Sequence, residues 1–191
     1  MINVVLFGPP GAGKGTQSKK IIAKYRLKHI STGEILRKLI KVRSPLGIEA
    51  QKYIDKGYYV PDEMAVDIIK KEIKKYPQAE GFIFDGFPRT IPQAEQLESI
   101  LSVMEAKVNV MISLETDEKA IIERLTHRYN NSGRPDDKSI DVIKKRIAIY
   151  NTNTKILKDY YKSKGKCESV YGIGEIDVIF DKICSIMERY K

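Results

Sequence analysis

The stretch Gly8-Pro9-Pro10-Gly11-Ala12-Gly13-Lys14-Gly15-Thr16 carries the features needed to hold phosphate groups. Its glycines let consecutive backbone N–H groups converge on one anion with no Cβ in the way. Lys14 adds a mobile positive charge for terminal phosphates. The helix expected after it points the positive end of its dipole at the same anion. Together these are a P-loop, a much stronger signal than a plain glycine turn between strand and helix. The position directly after the lysine usually carries the Ser or Thr that holds magnesium. Here it is Gly15, and the hydroxyl follows at Thr16. Magnesium is therefore expected to be held largely through water.

Other residues suit the same chemistry. Asp85 ends the apolar run Phe82-Ile83-Phe84 and precedes Gly86. A carboxylate there can orient magnesium or its waters, or it can simply cap a turn. Arg89 follows Phe87-Pro88, and a proline-fixed backbone aims a guanidinium fork well for bidentate phosphate contact. Arg37 follows Glu34 by one helical turn, so an intrahelical ion pair competes with a phosphate role. Arg124 and Arg128 share a helix face, Arg134 sits in a polar loop, and Arg146 lies on the next helix. Each alone could be a solvated charge. Together they read as a lid that closes over phosphates. His29 and His127 have no partners at metal-ligand spacing and read as structural or surface residues. No Ser-His-Asp or Cys-His arrangement supports nucleophilic hydrolysis.

The elements that would carry these residues alternate along the chain. Strands are expected at residues 2–7, 28–30, 82–85, 108–114 and 168–171. Helices are expected at 16–25, 31–42, 48–55, 61 to Pro77, 91–101, 117–129, 139–161 and 176–190. Ser31 with Glu34 forms a capping-box pattern, and Asp117 is a candidate N-cap. Residues 130–137 are polar and turn-rich, and Ser44-Pro45-Leu46-Gly47 reads as a helix break. Such alternation predicts an α/β fold, a parallel sheet of about five strands with helices on both faces. Ligands then bind at the carboxyl ends of the strands. The P-loop follows the first strand and Asp85 ends the third, so both are expected to face one crevice.

The totals set bounds. A chain of 191 residues predicts one domain with a small insertion. No apolar run approaches the ~20 residues of a membrane span, and no signal peptide is expected. Cys167 and Cys184 show no metal-type spacing, which predicts reduced core thiols in a cytoplasmic protein. The net charge of +9 suits nucleic acid or small phosphorylated substrates. Lys70, Lys71, Lys74, Lys75, Lys144 and Lys145 lie on polar helix faces, where solvation is the ordinary role. The eleven tyrosines are scattered, with no stripe on which bases could stack, so nucleic acid is not expected.

The chain resembles the adenylate kinases over essentially its whole length. The matching stretches are Gly8 to Gln17, Ser31 to Arg37, Asp85 to Ala94, and Gly133 to Asp137 with Lys145-Arg146 beyond. The Gly15-Thr16 ending of the P-loop is normal in that family. The resemblance implies a single P-loop kinase domain, 1–191, with a small helical AMP-binding insertion at 31–60 and a short lid at 129–137. It implies reversible transfer of the terminal phosphoryl of ATP to AMP, giving two ADP, and so a part in purine nucleotide balance and energy homeostasis. ATP, AMP and ADP would be the partners, with Mg²⁺ accompanying ATP, in a cytoplasmic monomer with no membrane or nucleic-acid partner. The lid is far too short for a Cys₄ zinc site, so no zinc is expected. One extra residue stands between Asp137 and Arg146 relative to many short-lid members.

The implied roles fall on particular residues. Gly11, Ala12, Gly13, Lys14, Gly15 and Thr16 would hold the ATP phosphates. Arg124 and Arg128 would contact ATP, and Gly174 would offer its carbonyl to the ATP adenine. Thr32, Arg37, Gly86, Phe87, Pro88, Arg89 and Gln93 would hold AMP, with Gln93 reading the adenine edge. Tyr58, Tyr59 and Val60 would line that pocket. Arg134 and Arg146 would grip phosphates as the lid closes, and Asp85 would meet Mg²⁺ through water. The catalytic set would be Lys14, Arg89, Arg124, Arg134 and Arg146. The nucleophile, an AMP phosphate oxygen, is already anionic near neutral pH, which fits a site rich in arginine and poor in histidine. The nearest rival is a related kinase with UMP or CMP as acceptor; Thr32 and Gln93 favour AMP. A P-loop switch protein is a second rival, without an Asn-Lys-x-Asp guanine-reading motif.

Overall fold

The computed structural model describes residues 1–132 and 134–190. Gly133, inside the expected lid, and Lys191 lie outside the described residues. Five parallel strands form one sheet: β1 (Ile2–Phe7), β2 (Lys28–Ser31), β3 (Gly81–Asp85), β4 (Val110–Glu115) and β5 (Cys167–Tyr171), in the order β2-β3-β1-β4-β5. Alternate residues of the central strand serve opposite faces, as the strand period of two requires. Val5 and Phe7 pack with Phe82, Phe84 and Met111 into one core, and Val4 and Leu6 pack with Ile83 and Ile112 into the other.

Helices cover both faces. The first core is closed by α4 (Asp62–Lys74), α5 (Ile91–Ser102) and α8 (Ile156–Ser163), through Ile69, Leu97 and Tyr161 among others. The second is closed by α1 (Lys14–Tyr25) and α9 (Ile176–Arg189), through Ile21, Ile183 and Met187. The remaining α-helices among the described residues are α2 (Thr32–Lys41), α3 (Pro45–Ile54), α6 (Glu118–Ser132) and α7 (Ile140–Ile149). No helix among the described residues is long and apolar enough to cross a membrane.

Strand order reverses beside β1: the chain passes from β1 to the edge strand β2, comes back to β3 between them, then crosses to the other side of β1 for β4 and β5. A crevice opens at the carboxyl ends where such a reversal occurs. Leu6 is in register with Asp85, and Asp85 with Ser31. The P-loop, the turn after Asp85 and the start of α2 therefore leave the sheet side by side.

Besides shifts of two or three residues at other helix ends, the differences from the sequence expectation are two helix boundaries, one interruption and one burial. Helix α3 starts at Pro45 rather than Ile48: the Ser44 hydroxyl accepts from Gly47 N at 3.0 Å and Pro45 occupies the first turn. The same Ser-Pro pair that ends one helix opens the next. Helix α6 runs on to Ser132, so residues 129–132 of the expected lid loop are helical. The single helix expected over 139–161 is interrupted by a π-helical turn at Tyr150–Thr154, where Tyr150 packs on Phe7 with ring centroids 5.4 Å apart. Cys167, expected in the core, is only partly buried, because it opens the edge strand β5; both cysteines are free thiols. Two expected caps are present, with Ser31 Oγ accepting from Glu34 N and Asp117 Oδ1 from Ala120 N.

The P-loop depends on Gly8 at its entrance. Gly8 has φ 143°, and a Cβ built there would stand 2.6 Å from the Leu114 carbonyl oxygen on the neighbouring strand. Gly8→Ala combines backbone strain with a backbone clash and is expected to destabilise the protein by roughly 2 kcal/mol or more. Urea unfolding checks this; an unchanged midpoint would mean the loop tolerates the shift.

Candidate active site

The residues given a substrate, catalytic or metal role above all line one crevice of about 1000 Å³ at the carboxyl edge of the sheet. That is the upper end of the range for small-molecule pockets (~300–1,000 Å³). On its P-loop side, Lys14 is the first residue of α1 and Gly13 caps the helix with a left-handed backbone, φ 95°. No acidic side chain occupies the first turn of α1, so its positive end is open to an anion. Lys14 Nζ donates to the carbonyls of Gly8 and Pro9, both at 2.8 Å, folding the ammonium back over the loop. Burial, reinforced by the charges of Arg89, Arg146 and Arg128 and opposed by Asp85, brings its pKa down to about 8. Arg124, on α6, donates to Gly11 O at 3.3 Å and to Gly172 O at 2.9 Å. It thus ties the P-loop to the segment that carries Gly174. Gln17 donates to Ile176 O at 3.0 Å on the far side of that segment, and its buried Oε1 accepts from no described group.

Across the crevice, Thr32 Oγ1 and Arg89 Nε both donate to Gly86 O, at 2.9 and 2.8 Å. The Arg89 guanidinium lies 4.2 Å from the Tyr59 ring centroid, and the Tyr59 hydroxyl bonds to Thr154 Oγ1 at 3.0 Å. The interrupted helix therefore reaches Arg89 through Tyr59. Phe87 and Pro88 are buried, Phe87 in the first core, so that turn offers the crevice backbone more than side chain. Arg37 is not paired with Glu34 in an ion pair; its guanidinium folds over Gly33, while Glu34 stands 3.9 Å from His29. Burial, with Arg134 nearby, pulls Arg37 down to about 10. Gln93 is buried at 2% exposure, its Oε1 accepting from Arg89 N and its Nε2 donating to Asp62.

The third part of the site is a compact ion cluster. Asp137 accepts from Arg128 Nε at 2.6 Å, Arg128 Nη2 at 2.9 Å and Arg146 Nη1 at 2.7 Å. Asp136 accepts from Arg134 Nε at 2.7 Å and Nη2 at 2.9 Å, and pairs with Arg146 at 3.2 Å. Both aspartates are buried. Three arginines on α6, α7 and the loop between them are thus gathered by two carboxylates. The extra residue before Arg146 leaves it in contact with both.

Magnesium prefers oxygen donors and keeps several waters, with substrate phosphates supplying further ligands. Asp85 and Thr16 offer a carboxylate and a hydroxyl to the crevice. Among the described residues no group of three or more His, Cys, Asp or Glu could cage a metal. This donor set fits a cation held mainly by phosphates and water.

Several functional neighbours carry no mark in the sequence. Asp62 looks only like a helix start, and Asp136 and Asp137, though inside the Gly133 to Asp137 stretch that carries the resemblance, have no role there that the sequence assigns. His29 is partly buried, with its Nε2 3.9 Å from Asp85 Oδ2 and no hydrogen-bond partner among the described residues. The one signal available is proximity in sequence, since Asp136 and Asp137 follow closely on Arg134.

The family model described as Adenylate kinase matches residues 6–166 of this chain. The chain is 46% identical over 188 residues to an adenylate kinase of Bacteroides fragilis, covering 98% of this chain and 99% of that protein. It is 46% identical over 191 residues to one of Parabacteroides distasonis, covering 100% of both. It is 43% identical over 189 residues to one of Flavobacterium johnsoniae, covering 99% of this chain and 100% of that protein.

Proposed function

The chain belongs to the adenylate kinase family, and from that premise we infer how its own residues carry out the reaction. It is a phosphotransferase that moves the terminal phosphoryl of ATP reversibly to AMP, giving two ADP. The observation that carries the residue-level reading is the facing of two cationic half-sites in one crevice, Lys14 with the P-loop on one side and Arg89 with Thr32 on the other.

ATP lies with its phosphates on Gly11 to Thr16 and its base toward Gly174, with Arg124 and Arg128 alongside. AMP lies among Thr32, Arg37, Tyr58 to Val60, Gly86 to Arg89 and Gln93. Its phosphate oxygen attacks the terminal phosphorus of ATP in line, the bond from that phosphorus to the bridging oxygen breaks, and ADP leaves. No base is needed, because the attacking oxygen carries its charge already. The protein's work is to align two polyanions and neutralise charge on the group in transit. Lys14, Arg89, Arg124, Arg134 and Arg146 do this. The family uses Mg²⁺ with ATP; held by phosphates and by waters that Asp85 and Thr16 orient, it would supply further charge neutralisation.

Water must be kept from the terminal phosphate, and two segments are suited to exclude it. One is the insertion at 31–60. The other is the lid, expected at 129–137 and better drawn from the end of α6 onward, since 129–132 are helical. One chain supplies both half-sites, which supports a monomer, and two free thiols support a reducing, cytoplasmic setting. Small nucleotides rather than nucleic acid are the partners.

An ADP-formation assay with AMP, CMP, UMP and GMP as acceptors tests this reading. AMP is expected to be preferred. Arg89→Ala is expected to lower kcat roughly a hundredfold, the usual effect of losing one transition-state donor. A preference for CMP or UMP, or a near-normal kcat in the variant, would reject the assignment.

A further inference from the structure

Four hydrogen bonds surround the side chain of Gln93. Nε2 donates to Asp62 Oδ1 at 2.7 Å, and Oε1 accepts from the backbone N–H of Arg89 at 2.8 Å. Asp62 Oδ2 accepts from the Thr90 hydroxyl at 2.7 Å, and the same hydroxyl accepts from Gln93 N at 3.3 Å. A carboxylate can only accept and a backbone N–H can only donate. Exchanging the amide oxygen and nitrogen would set two acceptors together at Asp62 and two donors together at Arg89. In a residue only 2% exposed, neither mismatch could be relieved by water. The amide of Gln93 therefore has one orientation.

Each end of that amide keeps spare capacity, a second lone pair on Oε1 and a second N–H on Nε2. The lone pair and the N–H of a primary amide that face away from Cγ lie along one edge, acceptor beside donor. That edge complements a base carrying an exocyclic amine beside an unprotonated ring nitrogen. Adenine and cytosine have this pattern. Guanine and uracil have the reverse, a keto oxygen beside a ring N–H, and would need the amide turned over.

We propose that Asp62 is a specificity-setting positioning residue: by fixing the orientation of the Gln93 amide, it selects amino bases over keto bases at the acceptor site. The inference rests on Gln93 reading the acceptor base. Asp62 touches no substrate in this scheme. It acts from the first turn of α4, through Gln93, on which edge the base may present. It sets amino against keto, and does not set adenine against cytosine, which differ in size rather than in edge pattern.

The test measures kcat/KM for AMP, CMP, GMP and UMP in the parent protein, Asp62→Asn, Asp62→Ala and Gln93→Leu. An asparagine amide can partner the Gln93 amide in either orientation, so Asp62→Asn removes the share of the selection set by Asp62 at nearly constant shape and leaves the Arg89 N–H to hold the rest. Asp62→Asn is expected to lower the AMP-to-GMP ratio about fivefold, the low end of the discrimination carried by a paired base-edge contact, because the Arg89 N–H still favours one orientation. The AMP-to-CMP ratio is expected to stay within about twofold. Ratios within one preparation are independent of how much protein is folded, so Asp62→Ala stays informative even if it is less stable. An AMP-to-GMP ratio unmoved in both Asp62 variants but collapsed in Gln93→Leu overturns the role of Asp62 and leaves Gln93 as the reader. A ratio unmoved in Gln93→Leu overturns the reading of Gln93, and the inference with it.

Discussion

Lys14→Met is expected to lower kcat by about a thousandfold at pH 7 while making the substrate-free protein more stable. The two effects have one origin. Lys14 sits where burial and the charges of Arg89, Arg146 and Arg128 disfavour its protonated form, and only Asp85 favours it. Its pKa of about 8, against an ordinary 10.5, corresponds to roughly 3 kcal/mol of unfavourable charge burial. Methionine removes that cost and keeps most of the stem. It also leaves the Gly8 and Pro9 carbonyls without their donor, which takes back roughly 1 kcal/mol. A rise of several degrees in Tm should remain, at about 2–4 °C per kcal/mol for a chain of this size.

The pH dependence fixes the sign. Between pH 8 and 10.5 the unfolded chain binds more protons at this lysine than the folded one, so the parent gains stability as pH rises through that window. The advantage of the methionine variant is therefore full below about pH 8 and gone above about 10.5. Thermal unfolding of both proteins across that range checks it. A methionine variant that melts lower than the parent at pH 7 would show that Lys14 holds the loop together rather than being held by it.

This also explains why the site is legible in sequence while its balance is not. The P-loop, Asp85 and the arginines announce themselves by type and by their place after strands and turns. Strand and helix alternation is equally plain, because short apolar runs buried on both faces of the sheet and amphipathic stretches with a period near four leave different marks. What the sequence conceals is which groups restrain the cations. Asp62 looks like an ordinary helix start, and Asp136 and Asp137 are matched as part of a stretch without a role of their own, until the fold brings an amide or arginines against them. The break in the helix after Ile149 is hidden for the same reason: its helical pattern continues, and the contacts of Tyr150 with Phe7 and of Thr154 with Tyr59 involve strands and loops far off in the chain. Start signals can also pass for stop signals, as Ser44-Pro45 does.

The restraint is most concentrated at Asp137, and Asp137→Ala is expected to cost about 3 kcal/mol of stability and about a hundredfold in kcat. The side chain is fully buried, and it is the only described carboxylate that bonds to both Arg128 and Arg146. Removing it leaves Arg128 without its carboxylate and Arg146 with Asp136 alone, which Arg134 shares. Asp136 is already shared between Arg134 and Arg146, so it does not supply the partner that Arg128 loses. Burial alone would raise the Asp136 carboxyl, but the hydrogen bond from Arg134 and the charges of Arg146 and Arg37 overcome that and hold it well below the usual range. Its contribution is therefore present at neutral pH and lost only as the medium falls below the ordinary carboxylate pKa toward that depressed value. Urea unfolding at pH 7 and steady-state kinetics on Asp137→Ala separate two roles for the aspartate pair. If the pair keeps the arginines assembled for the arriving phosphates, stability and kcat fall together. Tighter ATP binding with kcat unchanged would instead mean that the carboxylates occupy the arginines in competition with phosphate, and that closure of the lid begins with their displacement.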